Sequence, residues 1–155
     1  MIRHAIAADA APGQDDEQRE LTPEGVRKLR GVVRGLRALD ISFDHLLTSP
    51  WLRAAHTAKL LEPLSEAPPR TTELLCRPPS AELLALIAER AGDVAVVGHE
   101  PWLGELVAWL AFGDMRRGEA LVIKKAGLVW LEGSAVPGGM RLRALVPPKL
   151  LRAAR

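Results

Sequence analysis

The chain has 155 residues, 48% hydrophobic and 26% charged, which is enough for one domain that buries roughly two-thirds of the surface its unfolded form exposes. No apolar run approaches the eighteen or so residues of a membrane-spanning helix, and 21 Lys and Arg against 19 Asp and Glu leave a net charge of only +2. With no Tyr and two Phe the chain is short of platforms for stacking single-stranded bases, so neither nucleic acid nor a membrane is expected as a partner.

Met1 to Ala7 show neither the sustained apolar run nor the cleavage site of a secretory signal. The lone Cys76 can form no internal disulfide and belongs to no paired-cysteine metal site. A cytoplasmic location is therefore expected.

Ile2 and Arg3 open a short strand, and the polar stretch from Ala8 to Glu20, with Pro12, Gly13 and the adjacent Asp15 and Asp16, reads as a loop. Thr22 is placed to cap a helix with Pro23 at its first position, and Val26, Leu29, Val33 and Leu36 then form an apolar stripe. Asp44 to Thr48 reads as a strand, and Ser49-Pro50 as the opening of a helix through about Leu64. Thr71 to Leu75 reads as a third strand, and Ser80 caps a helix lined by Leu83, Leu84, Ile87, Ala88 and Ala91. Asp93 to Gly98 is apolar at consecutive positions, as a strand covered on both faces requires, and His99 ends it. A helix beginning at Pro101 turns Leu103, Leu106, Val107 and Leu110 inward, and Ala120 to Val146 reads as two or three strands with a Pro-Gly-Gly turn.

Strands alternating with helices predict an α/β three-layer sandwich: a largely parallel, mixed sheet with helices on both faces, one domain over residues 1–155. Such sheets bind ligands beyond the carboxyl ends of their strands, which is where Arg3, His4, Ser49 and His99 fall.

Three segments carry the chemistry: Ile2-Arg3-His4-Ala5, Ser49-Pro50-Trp51-Leu52-Arg53 with the helix behind it, and Val97-Gly98-His99-Glu100-Pro101. Singly, His4 reads as a buried structural histidine, His99 as a strand-end residue and Arg53 as a solvated helix charge. Together, in this order and at strand ends, they resemble the histidine phosphatase superfamily, most closely its compact branch of SixA-type phosphohistidine phosphatases. The likeness runs through Arg19-Glu20-Leu21-Thr22 to the Pro-rich C-terminus. It implies a phosphoglycerate-mutase-like fold and His4 as a phosphorylated nucleophile, with Arg3, Arg53 and His99 around the phosphoryl group. Arg19 matches a family position on the loop beside the site and is a candidate substrate contact. In this family Gly usually follows Arg-His, where this chain has Ala5, and a longer strand usually precedes it, so a trimmed or misassigned start is envisaged.

The residue types suit that chemistry. A neutral imidazole attacks phosphorus if one ring nitrogen holds the proton, and a backbone carbonyl near Ala5 would fix that tautomer. Arg3 and Arg53 supply paired donors for the phosphoryl oxygens, and Ser49 is expected first as a cap and second as a phosphate contact. Ser49 lies in no Gly-x-Ser-x-Gly turn, four dispersed histidines make no metal set, and no glycine cradle for nucleotides occurs. No metal or cofactor is expected.

Glu73, at the end of the expected third strand, is the best-placed carboxylate for proton transfer to a leaving group or for contact with substrate, ahead of Asp9, Asp15 and Asp16 on the first loop. His45 and His56 are assigned to packing or surface. Too few residues separate Arg53 from His99 for a large lid. An open site without a strong acid fits a phosphohistidine displayed on a partner protein, because an imidazole departs readily from a P–N bond. The alternatives are a phosphatase or mutase of a small phosphorylated metabolite, and an inactive homologue that only binds phosphorylated partners. Oligomeric state is not legible.

Overall fold

The structure is a computed structural model that describes residues 1–154. Its strands are β1 (Ile2–Arg3), β2 (His45–Thr48), β3 (Arg70–Thr71), β4 (Val94–Gly98), β5 (Leu128–Gly133) and β6 (Met140–Val146). Its helices are α1 (Pro23–Ala38), α2 (Leu52–Leu61), α3 (Ala81–Ala88), α4 (Trp102–Phe112) and the single turn α5 (Pro148–Leu151). The six strands form one sheet in the order β3-β2-β4-β1-β5-β6. The first four run parallel, and β5 and β6 add an antiparallel edge.

Successive side chains of a strand point to opposite faces, and the sequence spends that alternation on two cores. Leu46 of β2, Ala95 and Val97 of β4 and Leu128 of β5 pack with Leu29, Val32 and Leu36 of α1, Ala54, Ala58 and Leu61 of α2, and Leu151 of α5. On the other face Leu47, Val96 and Val129 pack with Leu83, Leu84 and Ile87 of α3 and Leu103, Leu106, Val107 and Leu110 of α4. Each fully buried Leu stabilises the fold by about 1.5–3 kcal/mol relative to an exposed one. The result is the expected three-layer, largely parallel mixed sandwich.

Several boundaries differ from the sequence expectation. The helix after Ser49-Pro50 starts later, at Leu52, and ends at Leu61, where Glu62–Leu64 tighten into a 3-10 turn; Pro63 has no N–H to continue the ladder. The third strand is only Arg70–Thr71, because the Thr72 hydroxyl accepts a hydrogen bond from Leu74 N–H (3.3 Å) and starts a 3-10 turn at Glu73–Leu75. Glu73 thus sits on an exposed turn, not at a strand end. Ser80 does cap α3, accepting from Leu83 N–H at 3.3 Å, but that helix ends before Ala91. The tail forms two strands, and α5 was not anticipated. No helix among the described residues is long and apolar enough to cross a membrane.

Candidate active site

Parallel pairing aligns the carboxyl ends of β1, β2 and β4, with Arg3 opposite Gly98 and Thr48 opposite Val97. The residues that follow these strands are therefore delivered to one edge of the sheet. His4 comes directly after β1, Ser49 after β2 and His99 after β4, and α2 brings Arg53 in its first turn. The His4 and His99 ring centroids lie 5.1 Å apart. His4, Ser49, Arg53 and His99 are all buried, and Arg3 is half-buried.

His4 is fixed by backbone. Its N–H bonds the Gly98 carbonyl at 3.1 Å, and its Nδ1 lies 2.8 Å from the Ala5 carbonyl oxygen. A carbonyl can only accept, so Nδ1 carries the proton and Nε2 presents its lone pair. Ala5 keeps a negative φ and donates its N–H to the Thr57 hydroxyl at 3.0 Å, which in turn donates to the Arg53 carbonyl at 2.7 Å. Residues 123–127 brace the far side. The Ala126 N–H bonds the Arg3 carbonyl at 2.9 Å and the His4 carbonyl at 3.2 Å, with Ala126 at φ 60°. Arg3 Nη1 donates to the Ile123 carbonyl at 2.8 Å.

His99 is oriented through Ser49. Its Nε2 is 2.8 Å from Ser49 Oγ, which also accepts from Trp51 N–H at 3.1 Å and lies 3.1 Å from Cys76 Sγ. Burial pushes the Cys76 thiol above its usual range, so it stays protonated. When the Ser49 hydroxyl donates to His99 Nε2, the imidazole N–H sits on Nδ1, the tautomer that can donate to an anion. Ser49 is thus not the helix cap: that place falls to Trp51, which has no side-chain cap bond, and the uncapped helix end adds positive potential beside the cluster.

Arg53 is gripped on edge and face. Its Nη1 donates to the Asp16 carbonyl at 2.5 Å and its Nη2 to the Asp16 carboxylate at 2.7 Å. The Trp51 ring lies 4.7 Å below the guanidinium, and 4.6 Å from the His99 ring. Arg19, on the same loop, bonds the other Asp16 oxygen at 2.8 Å and the Ala8 carbonyl at 2.7 Å. It reaches the cluster through Asp16.

Burial, with the Arg53 and Arg3 charges adding to it, lowers the His4 pKa to about 4; burial and the nearby His4 lower that of His99 to about 3. Both rings are neutral at pH 7. Lys125 also acts on His4. Arg19 and then Arg53 hold the Asp16 carboxyl below its usual range, whereas burial raises that of Glu100, which accepts from Gly104 N–H in the first turn of α4 at 2.8 Å. Glu73 is exposed and its charge acts on Cys76. His45 and His56 are half-buried, and neither bonds to the cluster. No group of three or more metal-ligating side chains occurs among the described residues.

Among those residues the buried side-chain polar atoms without a hydrogen-bond partner are three: Arg3 Nε, Arg53 Nε and His99 Nδ1. All belong to this cluster. Such atoms are costly unless an acceptor meets them, and an anionic ligand is a source of acceptors. Sequence reasoning ranked Asp16 low and gave Trp51, Lys125 and Glu100 no role. Trp51 lies inside the Ser-Pro-x-x-Arg segment and Glu100 beside His99, but only the folded loop brings Asp16 onto Arg53.

A model of the histidine phosphatase superfamily (branch 1) matches residues 1–76. Phosphohistidine phosphatase SixA of Escherichia coli K12 is 33% identical over 122 residues, 74% of each chain. An uncharacterized protein of Picosynechococcus is 38% identical over 143 residues, 87% of this chain and 84% of the relative. Among solved structures, the protein histidine phosphatase SixA complexed with tungstate superposes with a TM-score of 0.78 at 26% identity, over 97% of this chain and 96% of that one.

Proposed function

The chain belongs to the histidine phosphatase superfamily and is a phosphatase, and we propose that it removes the phosphoryl group of a phosphohistidine carried on another protein, by way of His4. His4 Nε2 attacks phosphorus as the substrate's P–N bond breaks, and the departing imidazole keeps the bonding pair and takes a proton from solvent. Water then attacks the phosphorylated His4, its P–N bond breaks in turn, and orthophosphate leaves. Arg3, Arg53 and the Nδ1–H of His99 meet the charge on the three equatorial oxygens. Arg19 and Asp16 hold Arg53, and Ser49 holds His99.

The observation that carries this reading is the pairing of a His4 whose Nε2 is unprotonated with a second buried imidazole 5.1 Å away and with the charges of Arg53 and Arg3, a group in which Arg3 Nε, Arg53 Nε and His99 Nδ1 are buried without a partner. The carboxylate bonded to the cluster supports the choice of substrate. Asp16 is held ionised by two guanidiniums, which suits it to positioning rather than to protonating an alkoxide, and a departing imidazole needs less acid help. The residues between Arg53 and His99 form α2, β3, α3, β4, two 3-10 turns and short connections, with no long insertion to fold over the strand ends, which favours a substrate side chain presented by another protein.

The test is a side-by-side comparison of rates on a phosphohistidine-bearing protein, phosphorylated sugars and a short acyl phosphate. The reading expects kcat/KM for the phosphohistidine protein to lead by about a hundredfold or more. Faster turnover of a sugar phosphate would move the assignment to small metabolites. Tungstate binding without any turnover would make the chain a phosphate-binding homologue.

A further inference from the structure

Charge is unevenly spread over this molecule. The helix α1, the turn α5 and Arg152 just after it hold seven of the 21 basic residues but one of the 19 acidic ones, Glu24. Among the described residues one ion pair reaches this surface, Lys28 Nζ to Glu24 Oε1 at 2.7 Å. Arg27, Arg34 and Arg152 have no carboxylate partner there. The phosphatase chemistry uses none of these side chains.

Four of the cations, Arg27, Lys28, Arg34 and Arg152, line an open groove of about 400 Å³ over Gly31. Tertiary packing builds it. Leu151 of α5 is buried in the core, and a Cβ on Gly35 would collide with the Leu151 carbonyl oxygen. A Cβ on Gly31, one turn earlier, would lie 3.0 Å from Arg152 Cδ and 3.1 Å from Cγ. These two glycines let α5 lie directly on α1, and the stem of Arg152 crosses the helix at a fixed place. Cations from both ends of the chain thereby face one concavity.

We propose that this groove is a binding site, separate from the catalytic cluster, for a small anion bearing two or more linked phosphoryl groups. Three guanidiniums offer forked donors that match phosphoryl oxygens in pairs. A linear triphosphate spreads its charge and its oxygens along a chain, which suits cations set along an open groove better than a compact single phosphate does. The volume lies within the range of small-molecule pockets, about 300–1,000 Å³. None of the lining residues is aromatic, so the phosphates provide the recognition and a nucleobase adds little.

The test is an NMR titration of the ¹⁵N-labelled full chain with sodium tripolyphosphate at physiological salt. Saturable shifts are expected at Gly31, Gly35 and the Nε groups of Arg27, Arg34 and Arg152, while orthophosphate shifts His4 and Ala5 instead. The charge-reversed variant R27E/R34E should bind tripolyphosphate at least about tenfold more weakly, with turnover of a small phosphate ester unchanged. Gly31→Leu, which fills the floor without altering charge, should weaken binding by about fivefold or more; if it does not fold, the double variant carries the test alone. Adenosine triphosphate separates the sources. Binding no tighter than tripolyphosphate makes free polyphosphate the ligand, and tighter binding makes it a nucleotide's phosphate tail. Shifts confined to His4 and its neighbours, or an affinity unchanged in a folded variant, would overturn the proposal. So would tighter binding of an acidic peptide or an anionic vesicle, which would make this surface a docking face.

Discussion

Two sets of cations lie on this molecule, built in opposite ways. At the strand ends Arg53 is 4% exposed, gripped on one edge by Asp16 and on one face by Trp51. On α1 and around α5 a larger number stand out in water with little to hold their charged ends. Inside, the low dielectric strengthens every interaction and the fold has already oriented the donors. Outside, attraction is screened within about 8 Å at physiological salt. Charge that develops for an instant in a transition state is met by the first arrangement; a stable anion is collected by the second.

The sharpest way to break the contrast is to remove a buried cation. Arg53→Ala should lower kcat about a thousandfold, by comparison with arginines that meet charge on transferring phosphoryl groups. Lys at this position should rescue little, since it lacks the fork that Asp16 grips. A change confined to KM, seen in steady-state kinetics, would mean that Arg53 binds substrate and transition state alike.

Acid attacks the same region by another route. His4 and His99 titrate near 4 and 3 when folded, below the ordinary value of about 6.5. The unfolded chain therefore binds more protons between those values, and stability should fall as pH drops from about 6.5 toward 3. Thermal melts across that range check the sign. Turnover should be nearly flat from pH 7 to 5 and fall about tenfold by pH 3, as His4 loses its lone pair to a proton.

Asp16→Asn should be milder, with kcat down about fivefold and stability down by about 1 kcal/mol, since the carboxylate side of its bond with Arg53 is half exposed to solvent. Asp16→Glu should restore part of the kcat, an outcome a merely structural loop residue would not give. At the small end, Arg30→Ala on the exposed face of α1 should leave kcat unchanged and stability within about 0.5 kcal/mol. A larger loss from Arg30 than from Asp16 would erase the distinction between the two sets.

The buried set was far more legible in the sequence than the exposed one. Strand-end positions are readable because parallel crossovers send them all to one edge, so Arg3, His4, Ser49 and His99 converge once the alternation of strands and helices is recognised. Long periodic helices such as α1 were equally plain. Glu73 was misplaced because a single hydroxyl, that of Thr72, turned the expected strand into a 3-10 turn. Ser49 was read as a helix cap when its bonds instead orient His99, since Ser-Pro marks a helix start without saying whether the first turn begins one residue later or three. Asp16 was ranked low and Trp51 missed for a different reason. Their partners are set by how a loop folds back and how two rings tilt, and neither leaves a spacing in the sequence. The groove on α1 depends on α5, a single turn too short for periodicity to reveal.

The most direct measurement is rapid-quench trapping of the phosphoenzyme from a ³²P-labelled phosphohistidine protein, followed by peptide mapping. The account predicts an acid-labile, alkali-stable label on His4, formed in a burst before steady turnover and absent from His4→Ala. A label on any other residue, or full turnover by His4→Ala, would contradict it.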